Sequence, residues 1–218
     1  GAVVVLYNAI DSNQPTARTR APAPVAENQA ASVAAPTPDA SYDKIEIAKD
    51  DFVIGKADAP VTLIEYASLT CPHCAAFHNN VLPIVKKEYI EAGKVRMVYR
   101  DFPLDQLALT GSMLARCAGP DRYYPFIDML FQQQAIWSRS NNPLAALSKL
   151  ALLGGMTQPD FEACIKKKEV ADAVLKQRLE GQQTFAIEST PTVIVNGKKF
   201  SGGLTIEQFR AVVDPMLK

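Results

Sequence analysis

Two cysteines and two histidines, Cys71, His73, Cys74 and His78, stand together in the stretch "SLTCPHCAAFHN" (Ser68 to Asn79). Such side chains bind transition metals, form disulfides or exchange them, and each chemistry asks for a different arrangement. A tetrahedral zinc site normally draws its ligands from two separated knuckles, so that the fold closes around the ion. Here all the candidate ligands lie at the start of one segment, consecutive His73 and Cys74 point apart, and the chain has no second CxxC and no further histidine. A purely structural bridge stabilises by closing a long loop of the unfolded chain, and a CxxC spacing closes almost nothing. The pattern fits a reactive dithiol best, with Cys71 as the exposed attacking sulfur and Cys74 as the resolving sulfur one turn away.

That chemistry needs a scaffold. The apolar, β-branched run "VTLIEYASL" (Val61 to Leu69) starts just after Pro60 and predicts a buried strand. A helical pattern follows Cys71 to about Ala92, which puts Cys71 at the N-cap and Pro72 at the first helical position, where its missing N–H costs nothing. A thiol there faces unpaired backbone N–H groups and the positive end of the helix dipole, both of which favour thiolate. His73 can add a positive charge or a donor near the Cys71 sulfur. Pro83 falls inside the helix and is expected to kink or break it.

"KVRMVYRDFPL" (Lys94 to Leu104) alternates as a second strand. From Gln106 to about Phe185 apolar residues recur at helical spacing between Gly, Pro and Asn breakers, with "YYPFIDMLFQQQAIW" as one such stretch. Met113, Met129, Phe126, Phe131 and Trp137 read as core of this block. "TVIVN" and "KKFSG" flank Asn196-Gly197, a strong hairpin signal. Thr205 and Gln208 have capping-box spacing for a last helix.

The chain has 218 residues, 48% of them hydrophobic and 21% charged, enough for a substantial core. Its 23 basic and 23 acidic residues cancel, so charge gives no case for nucleic acid or an anionic membrane surface. The remaining cysteines, Cys117 and Cys164, are far apart, and a structural bridge between helices of the block explains them well; two unpaired buried thiols are the alternative. The opening "GAVVVLYNAI" reads equally as the remnant of a signal or anchor segment and as a vector-derived terminus. Gln14 to Ala40 is rich in Pro and Ala, lacks Leu, Ile and aromatics, and predicts an extended tether or a disordered leader.

The succession of strand, "CPHC", helix, strand, helical block, "STPTVIVNGKKFSGG" and terminal helix resembles the DsbA-like branch of the thioredoxin superfamily. The resemblance spans about Ile45 to Lys218, and the Pro-His pair between the cysteines is the one typical of the oxidising type. It implies an α/β thioredoxin-like fold with a large all-helical insertion. Residues 41–104 and 186–218 would form the thioredoxin-like domain, residues 105–185 the insertion, and residues 1–40 the leader and tether. It implies Cys71, Cys74 and His73 as catalytic residues, and Pro191 as a cis-proline against the active-site pair, leaving the Thr190 backbone free to bind substrate. Glu65 would be a buried acid beneath Cys74, able to relay its proton. His78, one turn further on, is expected to be a partly solvated surface residue outside the chemistry.

The implied activity is thiol–disulfide exchange that introduces disulfides into unfolded or reduced exported proteins. A membrane redox partner would reset the dithiol, in the periplasm or an equivalent extracytoplasmic space, with the chain tethered to a membrane upstream. No cofactor beyond the redox-active disulfide, no metal and no nucleic acid are expected. Two departures, the Pro/Ala-rich tether and the second pair Cys117 and Cys164, leave open a specialised branch. Alternatives are a disulfide isomerase or reductase, oligomeric through residues 1–40, and a metal-binding thiol protein.

Overall fold

Two parallel strands form the centre of the molecule, β3 (Val61–Ala67) and β4 (Val95–Asp101). Six of the seven residues in each are buried, because both faces of the sheet are covered. The computed structural model describes residues 33–218 apart from Lys44; the expectations for residues 1–32 lie outside the described residues. β5 (Thr192–Val195) runs antiparallel to β3 and turns through Asn196-Gly197, both at positive φ, into β6 (Lys198–Ser201).

Two short strands flank this core. β1 (Ala40–Ser41) pairs with β6 and β2 (Phe52–Ile54) with β4, giving a six-stranded sheet in the order β1-β6-β5-β3-β4-β2. Neither flanking strand follows from the sequence pattern. The expected tether boundary near Ser41 also shifts: Asp39 N–H donates to Lys199 O, and the Asp39 carboxylate accepts from Ser201 N–H. The outer edge of the hairpin offers unpaired backbone groups, and the end of the Pro/Ala-rich segment satisfies them.

After β3 the chain enters α1 (Pro72–Ala76), runs through a π-turn (Phe77–Val81) into α2 (Leu82–Val85), and ends in a second π-turn (Lys86–Ile90). Pro83 does not end the helix but interrupts its regular α-helical turn, within the kink-or-break expectation. The π-turn carries the backbone past it, with Leu82 N–H reaching back to Phe77 O, and the wider turn relieves the clash a proline ring makes with a regular helix.

Between β4 and β5 lie α3 (Gln106–Cys117), α4 (Pro120–Gln132), α5 (Gln134–Trp137), α6 (Pro143–Leu153), α7 (Gln158–Cys164) and α8 (Lys168–Thr184). The stretch read as one helix is broken at Gln133 (φ −99°, ψ 6°), which separates α4 from α5. Met113, Phe126, Phe131 and Trp137 are buried in the core this block shares with the start of α1, while Met129 is half-buried against it. Gly181 lets α8 lie directly on the sheet, since a Cβ there would stand 2.6 Å from the Tyr66 ring. The chain closes with α9 (Ile206–Val213), begun by the Thr205–Gln208 capping box.

Cys117 and Cys164 form a disulfide joining the ends of α3 and α7, with Cα atoms 6.1 Å apart. Among the described residues no helix is long and apolar enough to cross a membrane.

Candidate active site

Cys71 stands at the N-cap of α1, between the end of β3 and the first helical turn, and its own N–H donates to Ser68 O. Its carbonyl accepts from Ala75 N–H and from the Gln134 side chain, whose Nε2 also donates to Leu69 O at 2.8 Å. The helical block therefore holds the turn that presents the sulfur. Both Cys71 and Cys74 are unbridged, so the site is in its dithiol form.

The two thiols are electrostatically unlike. The Cys71 pKa is lowered to about 5: hydrogen bonding from Cys74 acts most strongly, against the opposing effect of burial, with help from the Thr190 side chain and the backbone N–H groups of Cys74 and His73. The Cys74 thiol is fully buried, and desolvation first, then its bond to Cys71 and the charge of Glu65, push its pKa far upward. One sulfur is thus a ready thiolate at neutral pH and the other stays a thiol. His73 acts on Cys71 through its backbone; its ring is exposed and lines a cleft of about 290 Å³ with Phe77, Gly203 and Leu204.

From the far end of the chain, the Thr190–Pro191 peptide is cis, and the Cys71 thiol donates to Thr190 O at 3.3 Å. The Thr190 hydroxyl is buried without a hydrogen-bond partner. Gly203, at φ +76°, lies against this proline: a Cβ there would stand 3.1 Å from Pro191 Cγ. β5 and β3 are neighbours in the sheet, which brings residues so distant in sequence to the same sulfur.

Glu65, on β3, is fully buried, as a carboxylate beneath the pair would be. His78 is where the sequence reading fails. It is buried, not solvated, and its Nε2 lies 2.8 Å from Glu65 Oε2. A signal was available: His78 is four residues after Cys74, and that spacing puts two side chains on one helix face. The face that buries the thiol buries the imidazole. The ring stacks on Phe131 with centroids 4.1 Å apart. Gln134, which clasps the Cys71 turn, carries no signal in the sequence. Among the described residues no group of three or more His, Cys, Asp or Glu side chains is arranged to hold a metal ion.

The thioredoxin family model matches residues 48–215. A Rickettsia bellii protein with the provisional name protein-disulfide oxidoreductase is 30% identical over 174 residues, covering 79% of this chain and 67% of its own length. A Rickettsia felis counterpart is also 30% identical, and this chain spans 61% of that protein. Disulfide bond formation protein D of Bacillus subtilis is 26% identical, covering 76% of this chain and 77% of that protein. Among solved structures, Wolbachia pipientis alpha-DsbA1 superposes with a TM-score of 0.74 at 31% identity, over 78% of this chain and 92% of that one. The chain belongs to the thioredoxin family and, within it, to the DsbA-like thiol–disulfide oxidoreductases.

Proposed function

We propose that this protein donates disulfides to exported proteins through the Cys71–Cys74 pair, with no cofactor beyond that pair. The observation that carries the reading is the contrast between a Cys71 thiolate formed near pH 5 and a buried Cys74 held as a thiol. A stabilised Cys71 thiolate favours the dithiol form, so the disulfide form is a good oxidant. In the forward reaction a substrate thiolate attacks Cys71 Sγ, forming a mixed disulfide and releasing Cys74 as a thiolate that takes up a proton. A second substrate thiolate then attacks the substrate sulfur of that bond. It leaves with a new disulfide and expels the Cys71 thiolate. The substrates are reduced or unfolded polypeptides, met at the half-buried Thr190 and the cis-proline Pro191 beside Cys71. Reoxidation falls to a membrane redox partner, in the periplasm or an equivalent extracytoplasmic space.

The test is the reduction potential of the pair, measured at equilibrium with glutathione. A value at the oxidising end of the family range supports the donor role, and one as low as thioredoxin's makes the protein a reductase. Cys71→Ser should abolish dithiol transfer; normal rates in that variant would sink the assignment of the attacking sulfur.

A further inference from the structure

Cys74 must lose a proton whenever the pair is reoxidised and take one up whenever it is reduced, yet it has no contact with solvent. Glu65 is the acid whose charge acts on it, and Glu65 is equally sealed, at 0% exposure. A sealed acid can store that proton and hand it back; exchanging it with bulk solvent needs a connection to water. Among the described residues the hydrogen-bond partner of the Glu65 side chain is His78, at 2.8 Å, and Glu65 Oε1 has none.

We infer that His78 and Asp128 form the proton exit of Glu65, linking the buried resolving thiol to bulk water. An imidazole can take a proton at one ring nitrogen and release one from the other. His78 has the two ends this requires. Nε2 meets Glu65, while Nδ1 has no hydrogen-bond partner and faces Asp128 Oδ1 at 3.9 Å. The Asp128 side chain is 29% exposed and is held on its other oxygen by Lys86. A carboxylate shift of ~1 Å would bring Asp128 to hydrogen-bonding distance of Nδ1. The stack on Phe131 and the edge contact with Tyr99 fix the plane of the ring.

The groups around His78 support this role. Glu65 and Tyr99 face it from the strands, Asp128 from α4, and Cys74 and Lys86 belong to its own helix; Tyr124 of α4 feels the charges of both Glu65 and Asp128. Burial pulls the His78 pKa down, but the charge of Glu65 and the contacts with Asp128 and Glu65 outweigh it and leave the pKa raised.

The inference rests on the dithiol reading of the site. When a mixed disulfide at Cys71 is resolved, Glu65 takes the Cys74 proton. The Cys74 thiolate attacks Cys71 Sγ, forming the Cys71–Cys74 bond and expelling the partner thiolate. The Cys74 proton arrives on the unpartnered Glu65 Oε1, while the protonated His78 keeps its Nε2 proton toward Glu65 Oε2 and releases its Nδ1 proton to Asp128, which passes it to water. The reverse sequence protonates Cys74 after substrate oxidation. His78 is thus a positioning and relay residue that acts through Glu65.

The test uses the full chain in its dithiol form, mixed with oxidised glutathione, acid-quenched at intervals and read by mass spectrometry. Formation of the Cys71–glutathione bond reports Cys71, and its first-order resolution reports Cys74. His78→Gln, which keeps a donor toward Glu65 but cannot relay a proton, should slow resolution ~10²-fold, the lower range for a lost acid–base group. It should also remove the histidine inflection from the pH profile of resolution and the solvent deuterium isotope effect, while leaving bond formation unchanged. Asp128→Asn should slow the same step to a smaller degree. Resolution at the normal rate and pH profile in His78→Gln would overturn the relay, as would equal slowing of both steps. A wild-type protein that fails to exchange with glutathione at all would instead remove the function proposed above.

Discussion

The side chain of Gln134, at the start of α5, donates to the carbonyl oxygen of Cys71 at 2.9 Å, although 63 residues separate the two. The same nitrogen holds Leu69 O, so one amide of the helical block clasps both sides of the turn that carries the Cys71 sulfur. Gln134→Ala should destabilise the dithiol protein by about 2 kcal/mol, the usual cost of leaving a buried carbonyl without its donor. Gln134→Met, which keeps the volume and loses the donor, should behave alike. Urea unfolding of both variants checks it, and wild-type stability in both would show that the clasp contributes nothing.

Cys71 gives a pH signature. Its thiolate absorbance near 240 nm and its rate of alkylation should both titrate at about pH 5, with Cys74 silent through neutrality. The folded pKa lies below the ordinary thiol value, so the reduced protein gains stability that is fully present above the unfolded pKa and is lost as pH falls through about 5. Denaturant titrations of the dithiol form between pH 4 and 9 should follow that curve, with the pH limits set by the folded and unfolded values. A Cys71→Ala variant should not.

The Cys117–Cys164 disulfide spans a sequence separation of 47 and ties α3 to α7. Replacing both residues with Ala should lower stability by about 3–4 kcal/mol, as loop closure of that length predicts. Thermal unfolding measures the loss, and an unchanged melting temperature would contradict it.

Gly203 combines a left-handed backbone with close packing on Pro191. Gly203→Ala should cost about 1–2 kcal/mol from the backbone alone. Because the added methyl presses on the proline beside Cys71, the variant should also form mixed disulfides more slowly. Stopped-flow reaction with a reduced peptide separates that effect from simple destabilisation.

Much of this site can be read locally. The N-cap position of Cys71, the hairpin turn at Asn196-Gly197 and the capping box at Thr205 each follow from short-range backbone rules, and each stands where those rules place it. The misses share a different origin. β1 and β2 hold two and three residues and exist because a neighbouring strand supplies hydrogen bonds, so no periodicity marks them. Gln132, Gln133 and Gln134 look equivalent in sequence; a break at Gln133 leaves the first exposed and turns the third inward to the catalytic turn. His78, one turn beyond the CPHC motif, reads as partly solvated from sequence; pairing with Glu65 outweighs the cost of burying it.

The brevity of β1 and β2 has a further consequence, because these are the outermost strands of the sheet. A polypeptide seeking to add itself to an open margin by strand pairing finds only a few backbone groups on either side, too few to hold it or to nucleate aggregation. The sheet margins are thereby kept from templating other chains.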